Sequence, residues 1–400
     1  MNTITTKEKQ VKKGIPFAIW AIAFCAFGIG TTEFVLVGLL PTIANSLGIS
    51  ISSTGTLITL YALGVAIGGP VFTVLTGKIE HKRLLLLTII VFIAGNATAF
   101  FAKDILMLQL SRIITGSAHG VFFGYAVTIA SNMVTQDRKA TAISLVFAGL
   151  MISTVIGVPL GTYIGSHFGW KITFLTIAVW GMIGLFILSF SLPNQTRATE
   201  TLKLKDLPKV FRNTSVLVVL LANIFAYTGT FILFTYLSPI LEKITGFSLD
   251  TINIILLIFG IGVALGNMTG GRISNRNPSK TLVYLFTFHA VMLFMITFVL
   301  MSKSLMIIAL LIFGFFAYSN VPALQLLVVQ LSEKKFPGSG SIASALNVSA
   351  FNIGAASGSF IGGLVMDSPL TLHATPWIGG LFVIVALLLA VINLRSNHKS

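Results

Sequence analysis

Two charged side chains, Glu33 and Arg112, fall deep inside apolar stretches of this 400-residue chain, while every other formal charge lies at or beyond the ends of such stretches. A charge placed in hydrocarbon costs about 2.5–3.5 kcal/mol at a helix centre on insertion scales, and is retained for a pathway, a proton relay or a partner. The acid offers reversible proton uptake; the guanidinium stays charged and offers a counter-ion. His119 follows Arg112 by seven residues, two turns along one helical face, and is of the type that titrates nearest neutrality. It reads as a proton relay, as a hydrogen-bond partner for a sugar hydroxyl, or as a helix-packing histidine.

The elements that hold these residues are membrane helices. The chain is 55% hydrophobic and 9% charged, with mean hydropathy +0.95, whereas a soluble domain carries about 25% charged residues. A span needs about 20 apolar residues. Twelve stretches qualify, near 15–41, 51–74, 84–102, 105–131, 139–163, 168–192, 215–241, 251–271, 281–301, 305–330, 339–365 and 375–394. The apolar run Gly14–Leu40 is longer than the roughly 7–15 residues of a leader's apolar region, so no cleaved signal peptide is expected. The single cysteine, Cys25, sits in the first stretch, which excludes a disulfide framework and a thiol metal cluster and predicts an inert buried thiol.

A net charge of +15 raises the question of nucleic acid, and its distribution answers it. Lys and Arg cluster at alternate loops, among them Lys12 and Lys13, Lys78, Lys82 and Arg83, Arg138 and Lys139, Lys203 to Arg212, Arg272, Arg276 and Lys280, Lys334 and Lys335, and Arg395. The opposite loops hold Lys103, Lys171, Lys243 and Lys303. This is the positive-inside pattern. It predicts a multi-pass plasma-membrane protein with both termini in the cytoplasm, whose basic partners are anionic lipid head groups and not nucleic acid.

The two halves repeat at an offset of 198 residues, as between Pro41 and Pro239. Gly48 and Ser50 then match Gly246 and Ser248, Gly64 and Gly68 match Gly262 and Gly266, and Lys82 matches Lys280. Six spans per half give the halves the same orientation, with the substrate expected at their interface near the bilayer midplane. The predicted organisation is an N-terminal bundle over 1–192, a cytoplasmic linker over 193–214 with a short amphipathic helix near 202–211, and a C-terminal bundle over 215–400.

If Pro41 and Asp104 mark the outer ends of their helices, Glu33 and Arg112 each lie eight residues inside, about 12 Å deep. Facing one cavity, they would pair. Withdrawal of Arg112, or arrival of substrate, would then favour proton uptake by Glu33. The alternative is a permanent salt bridge that only orients the two helices. In the C-terminal half, Asn223 and Tyr227, Asn320 and Gln325, and Asn347 and Asn352 must find partners in lipid. They either bond helix to helix or line the cavity, where Phe231 and its aromatic neighbours add walls for a neutral, mildly amphipathic molecule. No P-loop, dinucleotide fingerprint or zinc-type His-Glu pattern is present, so neither cofactor nor metal is expected.

Three motifs resemble the major facilitator superfamily, and within it the twelve-helix drug:proton antiporters. The turn Leu75–Arg83 is similar to that family's G-x-L-x-D-R-x-G-R-R signature, with Gly77 where the Asp is expected, and Gly271–Arg276 copies it with Asn275 in that place. Arg112 with Gly116 matches the family's helix 4 signature. Gly149, Gly157, Pro159 and Gly161 match the antiporter motif of helix 5. The wording Thr31-Thr32-Glu33-Phe34 and His119-Gly120 looks most like sugar-efflux and arabinose-efflux permeases. The resemblance implies an all-α membrane fold of two pseudo-symmetric six-helix bundles. It implies a monomer that exports small organic molecules such as drugs or sugars in exchange for protons by alternating access. Glu33, Arg112 and His119 would couple the proton. Lys78, Lys82, Arg83, Arg272 and Arg276 would sit in the gating loops. A proton-linked importer or uniporter for a sugar or nucleoside is the alternative on the same fold. A membrane-embedded enzyme or receptor would need clustered acids, histidines or a metal constellation, which Glu33, Arg112 and His119 barely approach.

Overall fold

The computed structural model describes residues 15–69, 71–72, 79–135, 138–193, 212–337 and 339–397. Among them are twelve helices long and apolar enough to cross a membrane. They are α1 (Phe17–Leu47), α2 (Ile51–Gly68), α3 (His81–Phe101), α4 (Ile105–Asn132), α5 (Thr141–Phe168) and α6 (Trp170–Ser191), then α7 (Thr214–Lys243), α8 (Leu249–Ser274), α9 (Pro278–Val299), α10 (Lys303–Lys335), α11 (Ile342–Asp367) and α12 (Leu372–Arg395). Of the expected linker only its edges, Pro193 and Arg212 to Thr214, belong to the described residues. The short helix expected near 202–211, and Lys78 in the turn after α2, lie outside them.

The helices pack in the same pairs in both halves. Contacts of α1 with α5 and α6 are matched by those of α7 with α11 and α12; α2–α4 and α3–α4 are matched by α8–α10 and α9–α10. Lipid supplies no hydrophobic drive between helices, so close packing of small residues does. Gly64 lies against the backbone of Ile113 and Gly116 in α4, and its repeat partner Gly262 lies against Leu311 and Phe315 in α10. The first turns repeat too: Ser50 caps α2 through Ser53 N (3.1 Å) and Ser248 caps α8 through Thr251 N (3.4 Å). One end of the bundle carries Lys82, Arg83, Arg138, Arg272, Arg276, Lys334 and Arg395 and is called here the basic face; the other is the far face.

Three elements depart from the sequence expectation. Helix α1 does not stop at Pro41 but runs through it to Leu47, closed by Gly48 in the left-handed region (φ 64°). Proline gives up one backbone bond, yet the helix continues because its surroundings are packed tight: Leu39, Leu40 and Ile43 are buried. Glu33 is therefore near the middle of α1, fourteen residues from Leu47, or about 21 Å, and not 12 Å from its end. Helix α7 breaks at Thr235–Tyr236 and resumes at Leu237, with Pro239 inside its last turns. Both α2 and α5 contain a π-turn, over Gly64–Gly68 and Ser153–Gly157. The second ends two residues before Pro159, whose missing N–H cannot complete a regular α-helical ladder.

The halves meet towards the far face. Ser238 of α7 donates to Gly38 O of α1 (3.5 Å), and Ser359 of α11 donates to Gly55 O of α2 (3.0 Å). Ser349 donates to Ala66 O (3.3 Å) in the basic-face half of the same α2–α11 seam, so the halves touch there too. Tyr236, at the α7 break, donates to Ser359 O (3.0 Å) and lies in a notch formed by Gly55, Gly362 and Gly363. In the middle, Gly260 of α8 packs on the backbone of Thr154 and Val155 in α5.

Candidate transport site

Glu33 is 9% exposed, in the middle of the bundle. Its Oε2 is 3.8 Å from His119 Nδ1. That nitrogen is in turn 3.0 Å from the Tyr61 hydroxyl, in a hydrogen bond whose direction depends on the imidazole tautomer. Arg112 is 1% exposed. Its Nη2 donates to Thr32 O at 2.8 Å, and its guanidinium carbon stands 4.2 Å from the centre of the Tyr61 ring. Thr32 Oγ1 donates to Asn96 Oδ1 (2.7 Å), and Asn96 Nδ2 to Phe92 O (2.9 Å). Four helices thus build one cluster: Thr32 and Glu33 from α1, Tyr61 from α2, Asn96 from α3, and Arg112 and His119 from α4.

The structure brings Glu33, Arg112 and His119 together but does not join the first two directly. Among the described residues no ion pair links Glu33 to Arg112 within the 4.0 Å that defines one. The guanidinium is taken by the carbonyl of the residue before the acid and by an aromatic face, a cation–π arrangement favoured where water is excluded. Its Nε has no hydrogen-bond partner among the described residues.

The polar residues singled out in the C-terminal half are mostly bonded to one another. Asn223 of α7 donates to Asn347 Oδ1 (2.8 Å), Asn347 to Gln325 Oε1 (2.8 Å), and Gln325 to Ser344 Oγ (2.5 Å), an amide ladder across α7, α11 and α10. Tyr227 donates to Asn320 Oδ1 (2.7 Å). Asn352 donates within its own helix to Val348 O (3.0 Å). Phe231 packs on Phe234 and Phe351, with ring centres 5.5 and 6.0 Å away.

A narrow cleft of ≈ 10 Å³, room for about one water, lies between the halves, lined by Phe34, Thr154 and Val158 on one side and by Phe234, Leu256, Phe259, Val263 and Tyr318 on the other. Phe34 follows Glu33 in α1, so the acid is one residue from the cleft wall and does not itself line the cleft. The glycines of α5 close the back of this wall: Gly149 on Ala23 O, Gly157 on Thr31, Gly161 on Val35, all of α1. Pro159 lies between the last two, just after the π-turn.

At the basic face, Lys82 donates to Leu192 O (2.8 Å) and Arg83 pairs with Glu80 (3.5 Å). Arg272 and Arg276 are exposed. Sequence reasoning missed Tyr61, Thr32, Asn96 and Tyr318. The available signal was general: a phenol or amide inside an apolar helix needs a partner.

The description Major Facilitator Superfamily matches the chain over residues 22–343 and again over 219–400. The chain belongs to the major facilitator superfamily. The MFS-type transporter YtbD of Bacillus subtilis (strain 168) is 44% identical over 378 residues, 94% of this chain and 95% of that one. The inner membrane transport protein YdhP of Escherichia coli (strain K12) is 34% identical, covering 96% and 98%. The putative transporter AraJ of the same organism is 30% identical, covering 87% of each. Among solved structures, a bacterial homologue of the human lysosomal transporter Spinster, in an inward-facing and occupied conformation, superposes with TM-score 0.75 over 95% of this chain and 96% of that one, at 14% identity. This superfamily chain is therefore a multi-pass membrane transporter, built on that fold.

Proposed function

We propose that the chain is a proton-coupled exporter of small, uncharged or weakly amphipathic organic molecules. The observation that carries this reading is the placement of Glu33: an acid at mid-bundle, one residue from the wall of the cleft between the halves, in contact with His119 while Arg112 is anchored elsewhere. Such an acid changes protonation without losing a structural partner. Phe34, the next residue of α1, faces Tyr318 and Phe234 of the other half across the cleft, so a shift of α1 at Glu33 bears on how the halves sit. The cleft is walled by phenylalanines and aliphatic residues, with hydroxyls at Thr154 and Tyr318, a lining that suits a neutral cargo with few polar groups once the halves part to admit it. By the distribution of lysine and arginine the basic face is cytoplasmic, and the far face, where Tyr236, Ser238 and Ser359 hold the halves together, is external. Export is supported by the glycine seam of α5 on α1, which resembles the antiporter motif and seals the path beside Glu33.

The driving force suffices. A proton falling through 100 mV releases about 2.3 kcal/mol and one pH unit adds about 1.36 kcal/mol. Together they support a cargo gradient of several hundredfold, at about 1.4 kcal/mol per factor of ten.

The test is flux in proteoliposomes under an imposed pH gradient. Glu33→Gln is expected to abolish uphill movement while leaving downhill exchange of the same cargo in place. Uphill pumping by that variant at the unmodified rate would remove Glu33 from the mechanism.

A further inference from the structure

A second recess, of ≈ 600 Å³, opens on the far face above the seam. Its size falls within the roughly 300–1,000 Å³ of small-molecule pockets. Both halves build it: Pro41 and Asn45 come from the end of α1 and Ser50 from the cap of α2, while Glu242 comes from α7, Thr371 from the α11–α12 connection and His373 from the start of α12. Its floor is apolar, with Ile51, Met366 and Leu372. Glu242 is half-buried, and its Oε2, itself shielded from solvent, has no hydrogen-bond partner among the described residues. Buried polar groups are normally paired, and an orphan acceptor on an acidic side chain calls for a cationic N–H donor. Lys243 also lines the recess but is exposed; water screens it, and it makes no ion pair with Glu242 among the described residues. Thr371 holds φ 56°, a conformation β-branched residues rarely adopt and one that tends to occur at ligand clamps.

We propose that this recess binds a small protonated amine with a short apolar body, its nitrogen on Glu242 and its body on the apolar floor. Because the lining comes from both halves, the amine fits only while they are together at the far face. Its binding therefore favours that arrangement by differential affinity and slows turnover from that side. The site is separate from the Glu33 cluster. Its effect on turnover rests on the transport reading, while its occupancy does not.

Occupancy is measured in full-length protein in nanodiscs. Cys25 is buried and gives little background, and Asn45 is exposed at the rim. An Asn45→Cys variant is labelled with a membrane-impermeant maleimide in the presence of benzylamine, or of benzyl alcohol as its uncharged counterpart. Benzylamine is expected to slow labelling about tenfold at about nine times its Kd, as simple occupancy requires, and benzyl alcohol to have little effect. Adding Glu242→Gln is expected to abolish the protection while leaving the unprotected labelling rate unchanged, which shows that the variant folds. Equal protection by the alcohol, no protection up to millimolar amine, or protection that survives Glu242→Gln would each overturn the proposal. Benzylamine on the far side of proteoliposomes should also slow cargo exchange, and should not do so with Glu242→Gln; protection without slowing would overturn the locking role. Failure of labelling protection leaves proton-driven flux to be judged by its own assay, so the two readings fall separately.

Discussion

Arg112 spends its strongest donor on the carbonyl of Thr32, so the acid one residue later is left to His119. The arrangement makes Thr32 a linchpin: its carbonyl takes the guanidinium and its hydroxyl satisfies Asn96. Thr32→Val keeps the shape but orphans the Asn96 oxygen, and we expect a loss of about 1–3 kcal/mol, the cost of an unpaired buried acceptor, seen as a lower melting temperature of the detergent-solubilised protein. Arg112→Lys replaces a planar fork, which reaches the carbonyl while stacking on Tyr61, by a point charge that cannot do both. Exchange should fall at least about tenfold, the equivalent of losing 1.4 kcal/mol, measured as labelled cargo counterflow. Glu33, Arg112 and His119 were legible because charge and imidazole stand out in hydrocarbon. Their partners were not, because threonine, asparagine and tyrosine are ordinary residues in a membrane helix. Depth along two helices also cannot tell whether a guanidinium meets a carboxylate or the carbonyl beside it.

At the scale of the helix, small residues decide where backbones meet. On α5, Gly149, Gly157 and Gly161 face α1 along one stripe, and the π-turn before Pro159 redirects the helix so that Thr154 and Val155 reach Gly260 of α8. A Cβ on Gly157 would meet Thr31 and come within 3.2 Å of Phe27. Gly157→Val is expected to cost about 1–3 kcal/mol as overpacking and to raise the proton leak of cargo-free proteoliposomes, followed with an entrapped pH dye; an unchanged leak would show that the seam does not seal the Glu33 path. The glycine spacing of α5 was visible in the sequence. The length of α1 beyond Pro41 was not, since a proline in an apolar run ends one helix and is tolerated in another according to what packs around it. The α7 break was partly visible: Pro239 lacks the N–H that would bond the Thr235 carbonyl four residues earlier, while the notch between two other helices that Tyr236 enters there was not.

For the whole molecule, the number of spans, the two-fold repeat and the pairing of helices within each half follow from hydropathy and from matched glycines. Which face of the bundle is closed does not, because it depends on a few hydroxyl contacts of kinds found throughout any membrane helix. The closed far face makes a definite prediction. A Cβ on Gly363 would stand 3.6 Å from the Cβ of Ser52, inside the usual 3.5–4.5 Å of a disulfide. A Ser52→Cys, Gly363→Cys pair should crosslink under mild oxidant, provided the Tyr236 hydroxyl yields slightly, and should stop transport until reductant is added. Failure to crosslink in any condition that supports transport would mean that these helices do not approach in the working cycle. Among the described residues the three serine hydrogen bonds across the seam run one way: Ser238, Ser349 and Ser359 of the C-terminal half give hydrogens to main-chain oxygens of Gly38, Ala66 and Gly55 in the N-terminal half. An oxygen of the peptide link survives any exchange of side chain. In a lineage of such sequences the acceptor positions are thus free to drift so long as they stay small, while the donors are not, and correlated substitution between the halves will be a poor guide to where they touch.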